Sequence, residues 1–276
     1  MRIGEYNELR INRMVDFGAY LIDDDTHEVL LPKRYLTPEM KVGDTLRVFV
    51  YNDSENRPVA TTEEPKAVVG DFALMRVKAV NKVGAFLDWG LVAKDLLVPF
   101  GEQRVNMKVG RSYIVRVYLD PASHRIVASA KLAKFLNKTE PDYYHRQRVE
   151  VLAVQRSELG FRVIVNNAHW GQIYQSETYQ DVNVGDRLTA FVKQVRPDGK
   201  VDVTLAKIEK LRVDDLADRI LDYLSAHSGE MSLTDKSDPD DINKAFSCSK
   251  KDFKKALGQL YKQQKITLGE TVRLNP

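Results

Sequence analysis

The sequence has little cysteine and no long apolar run. Cys248 is the single cysteine among 276 residues, so no internal disulfide can form, which indicates a reducing compartment. No apolar stretch approaches the roughly 20 residues that a bilayer-spanning helix needs. The first ten residues, MRIGEYNELR, are polar and lack the apolar centre of a signal peptide. We therefore expect a cytoplasmic protein that does not enter a membrane.

The sequence also lacks the common motifs of catalysis. It has no Gly-rich loop ending in Lys-Ser or Lys-Thr that would hold a nucleotide phosphate. Its five histidines are scattered without the spacing of metal ligands. A hairpin tip and a helix start explain the acidic runs at 23–25 and 238–241 better than a two-metal nuclease site does. Cys248 precedes a Lys-rich segment that could lower its pKa, but it has no catalytic partner pattern. We expect no enzyme activity, no cofactor and no metal.

The net charge of +3 is small, but its distribution along the chain is uneven. Residues 66–137 hold 12 basic and 5 acidic side chains, whereas residues 1–65 hold 8 basic and 13 acidic ones. The later segments, 138–212 and 213–276, are nearly balanced, with 12 against 10 and 10 against 11. Only the second segment therefore has the charge that a phosphate backbone attracts.

An internal repeat runs through the first three segments. Gly18 in DFGAYL, Gly84 in KVGAFL and Gly160 in ELGFRV each lie 25 or 26 residues before a Val-Gly pair, whose glycines are Gly43, Gly110 and Gly185. Each pair is followed by an alternating apolar stretch, a polar turn and a second such stretch. Three copies at nearly constant spacing indicate three similar domains.

Each copy predicts about five short strands. Apolar residues alternate in stretches such as FALMRVKAV and YIVRVYL, and turn residues separate them. A small antiparallel sheet with two bare edges is unfavourable, so closure into a barrel is expected. The glycines would let the strands bend at the barrel corners.

The last segment changes to a helical period. Leu216, Ile220, Leu221 and Leu224 share one face of a first helix, and Ser237 and Pro239 are expected to cap and begin a second. A third helix has an apolar face formed by Phe253, Ala256, Leu257 and Leu260, and a tight hairpin, ITLGETVRL, follows it. Three helices and a hairpin predict a winged helix. Lys251, Lys254, Lys255 and Lys262 lie mostly on the opposite face of the third helix, which is either a solvated face, a partner-docking face or a nucleic-acid contact.

These motifs resemble the ribosomal S1-type RNA-binding domain, a five-stranded OB barrel with a Gly-x-aromatic cassette and a later Val-Gly-Asp. Three degenerate copies followed by this tail resemble the bacterial conserved virulence factor B family over essentially the whole chain. The resemblance implies a mainly β protein with an α-rich tail: three tandem S1-like OB barrels at 1–65, 66–137 and 138–212, and a winged helix at 213–276.

The resemblance also implies where RNA would bind. In the first copy, Phe17 and Tyr20 match both aromatic positions of the cassette, Asp53 and Arg57 match its polar pair, and Pro32 stands at its usual histidine. In the second copy, Phe86 matches one aromatic position and Val83 replaces the other, while Pro99 replaces the histidine. Asp120 and Arg125 match the polar pair.

The third copy is the least complete, with Leu159 and Arg162 at the aromatic positions, Tyr174 at the histidine and Lys200 at the arginine. The predicted RNA surface is completed by other strand and helix residues: Arg76, Lys78, Arg116, Tyr118, Lys193, Lys251, Lys254 and Lys255. The aromatic residues have an alternative interpretation, because Phe17, Tyr20 and Phe86 could instead pack in a core or between domains. Trp89 and Trp170 are expected to be partly buried at a barrel rim rather than to stack on bases.

The sequence therefore favours a non-catalytic, cytoplasmic protein that binds single-stranded RNA, with a role in post-transcriptional or translational regulation implied by the resemblance. Two alternatives stay open. One is a DNA-binding regulator that uses the winged helix, although acidic residues in 214–222 and 235–241 weigh against it. The other is an adaptor that contacts a ribosome or a nuclease through its acidic first barrel.

Overall fold

The structure is a computed structural model that describes residues 1–175, 181–205 and 208–275, with only the backbone of 208–212. The first domain is a closed barrel in the order β1-β2-β3-β5-β4, in which β3 and β5 pair in parallel. Its strands are β1 (Tyr6–Val15), β2 (Gly18–Ile22), β3 (Glu28–Pro32), β4 (Thr45–Asn52) and β5 (Pro58–Thr61).

The second and third domains repeat this arrangement. The second contains β6 (Phe72–Asn81), β7 (Gly84–Leu87), β8 (Leu96–Pro99), β9 (Ser112–Leu119) and β10 (Ile126–Ser129). Its hydrogen-bonded order is β10-β9-β6-β7-β8, and the edge strands β8 and β10 lie side by side to complete the barrel shape. The third is a closed barrel of β11 (Arg148–Ser157), β12 (Gly160–Val165), β13 (His169–Tyr174), β14 (Arg187–Val195) and β15 (Val201–Thr204).

The repeated glycines have the same structural role in each barrel. Gly18, Gly84 and Gly160 open β2, β7 and β12, where a Cβ would lie only 2.2, 2.3 and 2.1 Å from a carbonyl oxygen of the neighbouring strand. The glycine of each Val-Gly pair also donates its N–H to the first strand of its barrel, over 2.8 to 2.9 Å. Gly18, Gly84 and Gly160 thus lie where the neighbouring strand leaves no room for a side chain. The glycines of the Val-Gly pairs, Gly43, Gly110 and Gly185, instead have φ angles of +99°, +81° and +99°, which favour glycine.

Barrels 1 and 2 share a core. On β4, Val48 and Val50 point into barrel 1, while Phe49 and Tyr51 join the core of barrel 2, so the strand is buried on both faces. Trp89 is fully buried against Phe49, with ring centroids 5.5 Å apart, and its indole N–H donates to the carbonyl of Ala67 over 2.8 Å. The expectation that Trp89 lies at a rim was wrong, because the first barrel covers it.

Barrels 2 and 3 meet at a smaller apolar cluster. Phe72 and Ile114 of barrel 2 pack with Leu152 and Ile164 of barrel 3 and with two leucines of the connecting segment, Leu132 and Leu136. Polar contacts cross the same junction, since the side-chain amide of Asn167 donates to Asp71 over 2.9 Å. The three barrels are therefore joined by buried contacts.

The last domain has three helices and a small sheet: α1 (Ile208–Ala226), β16 (Glu230–Met231), α2 (Pro239–Phe246), α3 (Lys250–Lys262), β17 (Ile266–Leu268) and β18 (Val272–Leu274). Strand β16 extends the expected hairpin to a three-stranded sheet in the order β16-β18-β17. The N-cap of α2 is Asp238, whose carboxylate accepts from the N–H of Asp240, whereas Ser237 was expected. The expected core faces of α1 and α3 are buried together.

Helix α1 begins at Ile208, five residues before the predicted start of the winged-helix domain at residue 213. The predicted ranges of the four domains are not tested further by these elements. None of the helices in the described part of the chain is both long enough and apolar enough to cross a membrane.

Candidate nucleic-acid interface

The same outward positions recur in all three barrels. Gly18 pairs with Pro32, Gly84 with Pro99 and Gly160 with Tyr174. The residue two places after each of these glycines is Tyr20, Phe86 or Arg162, and all three are half-buried on the outer surface. Tyr20, Phe86 and Arg162 therefore occupy equivalent positions in the three barrels.

Barrel 1 presents two neighbouring rings here, Tyr20 at the outer position of β2 and Phe17 in the turn before that strand. Phe17 is 57% exposed, and its ring lies edge-on to Tyr20 with centroids 6.3 Å apart. Exposure of Phe17 removes the alternative in which it packs in a core or between domains. The guanidinium of Arg13 lies 3.9 Å from the ring centre of Tyr20 and also pairs with Glu28 over 2.9 Å. One face of Tyr20 is therefore already covered.

The predicted polar pairs differ among the barrels. Arg57 pairs with both Asp53 and Glu55 over 2.8 Å, and these carboxylates raise its pKa. In barrel 2, the carboxylate of Asp120 accepts from the hydroxyl of Ser123 over 2.6 Å instead of pairing with Arg125. Arg125 meets Asp120 only through the backbone and is exposed. Arg57 is therefore neutralised, whereas the charge of Arg125 is available.

Phe86 lies on β7 opposite Leu97, in the barrel with the excess of basic residues. Lys78 pairs with Asp95 over 2.7 Å, which raises the pKa of the lysine. Arg76 is exposed and donates to the carbonyl of Gly110 over 3.3 Å, so it keeps its net charge.

Two other predicted residues of barrel 2 lie at its junction with the connecting segment and barrel 3. The guanidinium of half-buried Arg116 lies 4.6 Å from the ring centre of Phe72, and burial lowers its pKa. Tyr118 packs against Phe135 at 5.2 Å, and burial, together with Glu102, raises its pKa to about 12. Both positions favour a packing role over direct contact with RNA.

In barrel 3, the guanidinium of Arg162 stacks 3.7 Å above the ring of half-buried Trp170. The hydroxyl of Tyr174 accepts from Arg196 over 2.8 Å, and Arg196 also pairs with the buried carboxylate of Asp202. Lys200 pairs with Asp198 over 2.6 Å, while Lys193 is exposed and contributes its backbone carbonyl to His145.

The predicted lysines of α3 are exposed. Lys254 lies 3.6 Å from Asp235, whereas Lys251 and Lys255 are in no ion pair within the described residues. The helix begins at its N-cap Ser249, whose hydroxyl accepts from the N–H of Asp252.

Two groups with possible metal or thiol chemistry lie within the described residues: an Asp-Asp-His cluster and the thiol of Cys248. Oxygen and nitrogen atoms of Asp23, Asp25 and His27 lie within 4.8 Å of one another in the turn between β2 and β3. The N-terminal ammonium pairs with Asp23 over 2.5 Å and lowers the pKa of that carboxyl to about 2. Burial raises the pKa of the Cys248 thiol, so the lowering suggested by the nearby lysines was wrong.

Sequence patterns did not single out Arg13, Arg104 or Lys131. Arg13 occupies a strand position with no motif of its own. Arg104 and Lys131 lie in segments that follow strands of barrel 2, and they line a cavity together with Arg162 and Trp170 of barrel 3. No periodicity in the sequence indicates that these segments lie next to barrel 3.

Comparison with known proteins agrees with the two kinds of domain. Residues 3–63 match the S1 domain model, and residues 218–272 match the model of the CvfB-like winged helix domain. The uncharacterized protein YitL of Bacillus subtilis is 32% identical, covering 96% of this chain and 91% of that protein. Conserved virulence factor B of Staphylococcus aureus is 23% identical, covering 83% of this chain and 79% of that protein.

A solved Streptococcus pneumoniae structure, described as a multidomain protein with nucleic acid binding domains, is 27% identical with a TM-score of 0.41. It covers 99% of this chain and 98% of the other. With an S1-domain match in its first barrel, a CvfB-like winged-helix match near its end and relatives that span nearly its whole length, this chain belongs to the conserved virulence factor B family.

Proposed function

We propose that this protein binds single-stranded RNA through its barrels and acts, without catalysis, in cytoplasmic post-transcriptional or translational regulation. Nucleic-acid binding is the coarser part of this proposal, and the S1-domain match supports it. The finer part concerns RNA, and it rests on the arrangement of rings and charges.

The observation that carries the proposal is the side chain at the outer position of each second strand. Tyr20 on β2 and Phe86 on β7 are partly accessible, and Phe17 is exposed in the turn just before β2. Arg162 on β12 takes the place of Tyr20 and Phe86 in barrel 3. OB barrels bind single strands with rings that stack on bases and cations that follow the backbone. Such rings need unpaired bases, so a duplex is a poorer ligand.

Charge placement supports RNA over duplex DNA. Several basic side chains of barrel 2, including Arg76 and Arg125, remain exposed and outside ion pairs in the described part of the chain. The winged-helix segment, by contrast, has 10 basic and 11 acidic residues. The charge that attracts phosphates is therefore centred on barrel 2 and not on the winged helix.

The test is fluorescence anisotropy with one labelled sequence in four forms: single-stranded RNA, single-stranded DNA, duplex RNA and duplex DNA. Each is measured at two salt concentrations, because affinities compared at one salt concentration mix charge with stacking. We expect the tightest binding to single-stranded RNA. Equal or tighter binding to duplex DNA would instead support the winged-helix regulator, and no binding to any form would support the protein adaptor.

A further inference from the structure

A groove runs along the junction of barrels 2 and 3. Its main part encloses about 530 Å³ and continues into a second part of about 420 Å³. The floor is apolar, and the two parts share Ala130, Leu132 and Val154. The walls of the main part are basic, formed by Arg104, Lys131, Lys134 and Arg162.

The groove is strongly positive. None of the described residues that line either part is acidic. Lys134 is neutralised by Glu102 over 2.5 Å, but neither Arg104 nor Arg162 forms an ion pair within the described residues. Burial, and then the charge of Arg104, lower the pKa of Arg162, so the two guanidinium groups repel each other. An anion between them would relieve that repulsion.

Trp170 supports Arg162 without neutralising it. In barrels 1 and 2 the position four residues before the partner of the strand-opening glycine is acidic, and it pairs with a cation of the first strand: Glu28 with Arg13 and Asp95 with Lys78. In barrel 3 that position is Trp170, which supports the guanidinium of Arg162 at 3.7 Å by stacking. The ring at this place thus holds Arg162 by stacking and leaves its charge for a ligand, whereas a carboxylate there would pair with a nearby cation.

We propose that this groove is a further RNA-binding site, separate from the rings of barrels 1 and 2, with a backbone phosphate of a single strand held between Arg104 and Arg162. The proposal rests on the proposed RNA-binding function. Guanidinium groups suit the phosphate because their fork of N–H donors matches its oxygens. The apolar floor accommodates a base or ribose next to that phosphate. The site requires both barrels, since Arg104 belongs to barrel 2 and Arg162 to barrel 3.

The first test measures single-stranded RNA binding by the wild type, the double variant Arg104→Gln/Arg162→Gln and the control Arg148→Gln. Arg148 is an exposed arginine of barrel 3 that does not line the groove. We expect the double variant to bind about tenfold more weakly. Its slope of log K against log salt should be shallower by about 0.7 for each lost phosphate contact. The control should remain within about twofold of the wild type, as expected for an exposed rim charge.

The second test uses tryptophan fluorescence, because the chain has only two tryptophans and Trp89 is fully buried. RNA should quench the wild-type signal, and Trp170→Phe should abolish the quenching while keeping an aromatic support for Arg162. A thermal melt of each variant confirms folding. The same fluorescence measurement is repeated with a poly-glutamate peptide, which has negative charge but no bases, to distinguish RNA from an acidic protein partner.

The outcomes separate this inference from the proposed function. If the wild type does not bind single-stranded RNA, the proposed function fails together with the groove. If it binds but the double variant matches Arg148→Gln, or quenching persists in Trp170→Phe, the groove is refuted and the function stands. Quenching of Trp170 by poly-glutamate and not by RNA would assign the groove to an acidic protein partner and overturn the proposal.

Discussion

Phe86 should contribute more to RNA affinity than Tyr20, although Tyr20 lies in the barrel with the more complete aromatic motif. Arg13 already covers one face of Tyr20 at 3.9 Å, and an arriving base would compete with that guanidinium or use the remaining face. Barrel 1 also has 13 acidic against 8 basic residues, whereas barrel 2 has 12 basic against 5 acidic. A phosphate chain is therefore drawn to Phe86 and repelled from Tyr20.

The expected magnitude follows from stacking energies. A base stacked on a protein ring contributes about 1–3 kcal/mol, so Phe86→Ala should weaken binding by roughly 5- to 150-fold. Tyr20→Ala should weaken it by less than about threefold, because a surface position in a repelling field adds little. Arg125→Ala should also weaken binding and reduce the salt slope by about 0.7, whereas Phe86→Ala should leave the slope unchanged because a ring releases no counterions.

The assay is anisotropy of labelled single-stranded RNA at several salt concentrations. Phe86 is half-buried, so Phe86→Leu serves as a matched variant that keeps apolar packing and removes the ring. Both variants must retain the wild-type thermal melt. A folded Phe86→Leu protein with unchanged affinity, next to a Tyr20→Ala protein with strongly reduced affinity, would move the site to barrel 1 and refute the charge argument.

Other regions of the chain give further predictions. Gly160→Ala should strongly destabilise barrel 3 in a thermal melt, because its Cβ would lie 2.1 Å from the carbonyl oxygen of Ile173. In the control Gly258→Ala, in α3, the new Cβ meets no atom within 4 Å, and the change should stabilise the folded protein by about 0.5–1 kcal/mol. Equal melts for the two would contradict the close-contact argument. Cys248 should react with iodoacetamide more slowly than the unfolded chain at neutral pH, and faster as pH rises through its raised pKa; a rate equal to that of the unfolded chain would show that burial does not protect it. Labelled RNA should stay intact with Mg²⁺ or Mn²⁺, and cleavage that disappears on substitution of Asp23 and Asp25 would establish a nuclease site.

Local pattern was sufficient to predict most elements of this fold, but it did not predict β16. Strand alternation, the helical period after residue 213 and the three glycine spacings all follow from contacts within one domain. Phe253, Ala256, Leu257 and Leu260 are buried as the helical period predicted. Even here one detail needed the structure, since adjacent Ser237 and Asp238 are both good N-cap residues and only the backbone shows which one caps α2.

The candidate site could be predicted only in part. The sequence identified Phe17, Phe86 and Arg162 because each lies at a set distance from a motif glycine. It could not reveal that Arg57 is neutralised or that Arg116 lies under a neighbouring domain, because ion pairs and interfaces depend on residues brought together by packing.

The sequence by itself determined three barrels, a winged helix and a basic second barrel, because strand periodicity, glycine spacing and charge are properties of short segments. Only the tertiary structure decided which faces of those barrels are free. It buried Trp89 and both faces of β4 between barrels 1 and 2, and it brought Arg104 to the groove that Arg162 and Trp170 line. The physical reason is that an interface depends on pairs of surfaces far apart in the chain, and no repeat or period within one segment encodes which partner covers it.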